Sequence, residues 1–166
     1  MSSPASDSQV PAGPAGPGAP TAMSSPPVSR EELMAALNEL LEAERAGARV
    51  AMDTGREITA AELAALVGDI HKDEVHWCGM LMRNIKALEG EASSVTGAFW
   101  GKAMAIPDVE QRLLFLNRGQ AWVVRKLQAL IPRLQEASLK ADLTEMLDAH
   151  VRNIERVEAR ARAGAA

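Results

Sequence analysis

Four stretches of the chain carry leucine, isoleucine, valine and methionine at intervals of three and four residues, the spacing that gathers side chains on one face of an α-helix. The stripes run Leu33, Leu37, Leu40; then Leu63, Val67, Ile70, Trp77, Leu81; then Val109, Leu113, Leu116, Val123, Leu127; and last Leu139, Leu143, Met146, Val157. A helix that is apolar on one side must bury that side against another element. Four such helices in one chain restrict the fold to helices packed on helices. Strand formers are scarce: aromatic residues make up 3% of the chain and tyrosine is absent, which leaves little to build a sheet from.

Capping residues mark where the helices start and stop. Ser29, with Glu32 three positions on, forms a capping box before the first stripe, and that helix extends to about Thr54 and ends at Gly55. Thr59 with Glu62 gives a second box, opening a helix that runs through Leu88 to a stop at Gly90. Only about four residues join these two helices, so they must be antiparallel neighbours. Residues 91–107 are too long for a hairpin and hold a short helical stretch around Ala98–Ala105. Pro107 opens the third long helix at its first turn. That helix runs from Asp108 towards Pro132, where the missing amide and the ring clash end or kink it, and Ser138 caps a fourth helix reaching about Ala163. The expectation is an all-α, four-helix bundle over residues 29–163: two antiparallel hairpins joined by a long crossover.

Residues 1–28 hold seven of the nine prolines and Asp7 as their only charge, a composition that buries too little surface to offset its ordering entropy. The expectation there is a disordered tail, within which Met23 offers an alternative start. The net charge of -4 is spread over interspersed acids and bases, which argues against nucleic acid as a partner. No apolar run approaches the roughly 18 residues of a membrane span. A single cysteine, Cys78, and the lack of a basic, apolar leader make the cytoplasm the expected compartment.

Each stripe is interrupted near its middle by a polar residue. Glu44 stands on the core line of the first helix, Glu74 on that of the second, Gln120 with Asn117 on the third, and His150 with Asn153 on the fourth. Glu44 and Glu74 lie roughly 12 to 16 residues from the loop between their helices, as do Gln120 and His150 from theirs, so each pair falls within about one turn of the same depth. Buried carboxylates are costly unless paired or bound to a cation. One reading is a metal site in which Glu44, Glu74 and His150 supply two oxygens and an imidazole, with His71 as a further ligand or supporting partner. The other is a metal-free network in which His150 and Gln120 satisfy the carboxylates, one of them protonated. Spacing alone does not separate them. Cys78, one turn from Glu74, is read as a small buried hydrophobe with a soft-ligand or redox role left open.

The segments HKDEVHWCGML, LNRGQAWVVRKL and DAHVRNI resemble a bacterial branch of the ferritin-like superfamily, over about residues 29–160. The resemblance implies a di-iron template: a Glu from the first helix, ExxH from the second, a Glu from the third and ExxH from the fourth. Glu44 and Glu74 match the first two positions. Trp77 stands where the second helix would supply histidine, Gln120 where the third would supply Glu, and Leu147 precedes His150 where the fourth would supply Glu. The implied site is therefore depleted, holding one iron or manganese ion or none. Two functions follow: oxygen- or peroxide-linked redox chemistry at such an ion, with Gln120, Asn117, Asn153 and Cys78 in support, or a non-catalytic interaction module forming a homodimer. A third, weaker option is a small-molecule pocket opened by the gap at Gly47.

Overall fold

The computed structural model describes residues 26–164, so most of the expected tail, residues 1–25, lies outside the described residues. Five α-helices follow in order: α1 Arg30–Gly55, α2 Ala61–Ala87, the short α3 Phe99–Met104, α4 Val109–Leu130 and α5 Ala137–Gly164, with a 3-10 turn over Ile131–Arg133. The result is an all-α bundle of four long helices.

The Ser29 capping box forms: its hydroxyl accepts from the Glu32 amide and the Glu32 carboxylate accepts from the Ser29 amide. The expected box at Thr59 does not. Ala60 is the cap of α2, with no side-chain hydrogen bond, because the first turn closes from Ala64 N to the Ala60 carbonyl, one residue later than Thr59 would need. Pro107 stays outside α4, whose cap is Asp108, accepting from the Gln111 amide. Ser138 lies inside α5; Glu136 does the capping instead, its carboxylate accepting from the amides of Ser138 and Leu139. At the end of α2 the left-handed residue is Glu89 (φ 55°), and Gly90 follows it with its amide bonded to the Ile85 carbonyl. Gly90 is small for another reason: a Cβ there would collide with the Met34 thioether.

Side-chain contacts fix the helix directions. Arg112 at the start of α4 pairs with Glu57 just past α1, while Lys126 pairs with Glu39 and Arg133 with Glu32, so α1 and α4 are antiparallel. Between α2 and α5, Asp69 meets Arg156 and Asn84 meets Asp142, again antiparallel. The helices pack in the ring α1–α2–α5–α4, with α1 opposite α5 and α2 opposite α4. The segment from Glu91 onward returns along α1. Asn38 receives it at Glu91 and Ser93, Glu42 and Arg45 hold it at Ser93, Arg49 lies over Trp100, and Asp53 accepts from the Trp100 indole at 2.9 Å. The polar face of α1 is thus the track on which the crossover is fastened. Pro26–Val28, the described end of the tail, is tied to Arg133 by two hydrogen bonds.

The core has two apolar clusters. One gathers Leu37, Leu41, Leu81, Leu127 and Leu143 around Trp77; the other gathers Val50, Val67, Ile70, Leu116 and Val157. Each fully buried aliphatic side chain contributes roughly 1.5–3 kcal/mol. On every long helix the residues between the clusters are polar: Glu44 on α1, Glu74 on α2, Asn117 and Gln120 on α4, and His150 and Asn153 on α5, all buried.

Candidate metal centre

Three of these residues converge. Glu44, Glu74 and His150 each offer a ligand atom, and the three atoms lie within 4.8 Å of one another in a fully buried setting. His150 Nε2 stands 3.3 Å from Glu44 Oε1, without the alignment of a hydrogen bond. Both Glu44 oxygens and His150 Nε2 consequently have no hydrogen-bond partner. On its other side His150 Nδ1 lies 3.0 Å from the Met146 carbonyl, which can only accept, so the ring carries its proton there. In the neutral ring this sets the tautomer, with the Nε2 lone pair facing the carboxylates, the arrangement found in metal-binding histidines.

Glu74 can approach because α1 has no side chain opposite it. A Cβ on Gly47 would lie 2.7 Å from Glu74 Cδ, so the space of an absent methyl is filled by the carboxylate. Burial, then the Glu44 charge beside it, holds the Glu74 carboxyl well above the usual carboxylate range. For His150 burial works against the charged form, but the Glu44 carboxylate outweighs it and the imidazole sits above its ordinary value. Without a cation, two carboxylates in this position reduce their repulsion by Glu74 keeping its proton.

Residues 31–159 match a family described as a domain of unknown function, DUF6306. The chain belongs to the DUF6306 family. No curated protein and no solved structure matches it. The family match carries no ferritin-like assignment.

The other residues singled out in this DUF6306 domain are placed differently. His71 does not join the cluster: half-buried, it spends Nδ1 on the Ala48 carbonyl at 3.2 Å and sits a turn towards the loop. Cys78 is also outside the cluster, half-buried against the Leu37 cluster, its thiol pushed up to about 12 by burial and then by Glu44 and Glu74. Asn153 donates to Asp73 at 2.8 Å and Asn117 to the Ile154 carbonyl at 3.4 Å. Gln120, expected to satisfy the carboxylates in a metal-free network, has neither amide atom bonded. Asp73 was not among the residues singled out from the sequence, yet its charge reaches both His150 and Glu74. Its hydrogen bond to Asn153, polar on the core line of α5, was the available signal.

Proposed function

We propose that this domain holds one divalent transition-metal ion, iron or manganese, on Glu44, Glu74 and His150, within a ferritin-like scaffold that has lost the remaining ligands. The observation that carries the reading is the set of bare donors: three buried ligand atoms face one point and those of Glu44 and His150 have no other partner. Cis donors around an ion held at about 2.1 Å lie about 3 Å apart, and the 3.3 Å between His150 Nε2 and Glu44 Oε1 already approaches this spacing. Two carboxylates balance a divalent charge, and an oxygen-rich set with one imidazole suits iron or manganese better than a thiolate-preferring ion. A bound ion of this kind would supply one-electron exchange with dioxygen or peroxide.

The chain's own residues prepare that chemistry. Met146 orients His150 through its carbonyl, Gly47 makes room for Glu74, and Glu74 must release its proton for the oxygen to serve as a ligand. Gln120 presents a free amide that can orient a water or another small polar molecule beside the donors. The test is elemental analysis of protein purified without chelator. About one ion per chain is expected, with Glu44→Gln and His150→Ala lowering the content severalfold while circular dichroism stays helical. A metal-free wild type that also takes up no added iron or manganese would remove the reading.

A further inference from the structure

Between α1 and α4 lies a cavity of about 520 Å³, lined mostly by apolar groups and reaching inward to Glu74 and Gln120. Small-molecule sites occupy about 300–1,000 Å³. The gap exists because the facing residues of α1 are small: Ala43, Ala46 and Gly47. Two aromatic groups border it: Phe115, stacked on Phe99 at 4.9 Å with the Arg118 guanidinium 5.2 Å from its ring, and Trp122, with the Lys126 ammonium 5.0 Å from its ring. At the inner end Gln120, 2% exposed, has both amide atoms without a partner, so a buried donor and a buried acceptor await a group from elsewhere.

The outer end differs in charge. Arg118 and Arg125 stand at the exposed rim, and among the described residues neither makes an ion pair. Of the acids opposite, Glu39 is paired with Lys126 at 3.0 Å, while Glu42 keeps its charge and accepts from the Ser93 hydroxyl on the crossover. An anionic group at the mouth therefore meets guanidinium without an ion-pair partner, an apolar body lies along the Phe115 and Trp122 side of the cavity, and the far end of the molecule arrives at Gln120 and Glu74.

We infer that this cavity binds a small aromatic carboxylic acid, carboxylate outward against Arg118 and Arg125, ring along Phe115 and Trp122, and its inner end at Gln120. The inference deepens the metal reading, on which it rests only for what the inner end meets; the cavity itself stands without an ion.

The probe is 4-fluorobenzoate, titrated into the full chain before and after chelator treatment and followed by fluorine NMR, with metal content measured on the same preparations. Saturable binding with Kd on the order of 0.1–1 mM is expected for a molecule this small. Arg118→Gln combined with Arg125→Gln should weaken it about fivefold while neutral 4-fluorobenzamide changes little, since two exposed charge contacts are lost. Ala43→Phe should fill the cavity and abolish binding of both probes. Should Ala43→Phe fail to fold, the arginine pair on the exposed face still decides. No saturable binding by wild type, or an arginine pair that leaves 4-fluorobenzoate unaffected, overturns the proposal. Wild type that is metal-free before chelation and takes up no added iron or manganese, yet binds with this variant pattern, keeps the cavity and removes the metal; metal-loaded protein that fails to bind removes the cavity and keeps the metal.

Discussion

Replacing Gly47 by alanine puts one methyl group into the space of the Glu74 carboxylate. The new Cβ would lie 2.7 Å from Glu74 Cδ and 3.0 Å from Oε1, where carbon contacts ordinarily need about 3.5–4.0 Å. The carboxylate must retreat by about 0.5–1 Å, and at 4% exposure it has little room to do so. Gly68 on α2 is the control, because a Cβ there meets nothing within 4 Å. Glycine to alanine inside a helix gains about 1 kcal/mol from propensity alone, so Gly68→Ala should be more stable by about 0.5–1 kcal/mol. At Gly47 the same gain is set against an overpacking cost of about 1–3 kcal/mol, for a net loss of about 0–2 kcal/mol. Metal affinity is the sharper readout. Displacing one of three ligands by this distance should weaken binding about tenfold or more, whereas Gly68→Ala should leave it unchanged. Urea unfolding followed by circular dichroism and calorimetric titration with manganese measure the two effects. A Gly47→Ala protein as stabilised as Gly68→Ala and with wild-type manganese affinity would show that Glu74 is not seated against Gly47.

Other perturbations test other parts of the structure. Glu74 and His150 both sit above their ordinary values, so each binds its proton more tightly in the folded chain. Stability from Glu74 is lost as pH climbs above 4.5 and that from His150 as pH climbs above 6.5, so metal-free protein should unfold more easily at about pH 8 than at about pH 5.5. Glu74→Gln should flatten that slope and raise stability at about pH 8 by about 1–2 kcal/mol in urea titrations, and metal loading should reverse the slope because the ion displaces the proton. Glu89→Gly should stabilise the metal-free chain by about 1 kcal/mol in the same assay, since it removes a side chain from the left-handed turn after α2. Deleting residues 1–25 should leave the melting temperature unchanged, and extending the deletion through Val28 should lower it measurably, because Pro26 and Val28 are bonded to Arg133.

The helices were legible because their period and most of their stops are local properties. Leu37, Ile70, Leu116 and Leu143 fall on the stripes read from the sequence and are fully or almost fully buried. The misplaced starts, Thr59 and Ser138, share one cause: a residue with good capping chemistry stood within two positions of the one whose backbone closes the first turn. A carboxylate from Glu136, not usually foremost among capping residues, took the second role. The course of the crossover was not legible in the same way. Asn38, Glu42, Arg45, Arg49 and Asp53 form a polar stripe as regular as the apolar one, and pattern alone reads polar as solvated. Only the partners across the gap, Ser93 and Trp100, show that this stripe is a binding face.

For the site, the sequence placed Glu44, Glu74 and His150 at one depth but left two states open, and the geometry bears unequally on them. A metal-free network needs its members to satisfy one another, since an unbonded polar group in the interior costs about 1–3 kcal/mol. Gln120 bonds to neither carboxylate, and His150 Nε2 in the neutral ring has no partner; only a protonated His150 would pair with Glu44, 3.3 Å away. The helix-interior glycine at Gly47 adds about 1 kcal/mol of propensity cost, and the space beside it holds the Glu74 carboxylate at the inner end of the cavity. The proposed cation would answer these together: it would take up the lone pairs of Glu44 and His150, offset the carboxylate charge, and draw Glu74 towards α1 where Gly47 leaves room. The same argument explains why a single substitution at Gly47, which touches no donor atom, tests the centre as directly as removing a ligand.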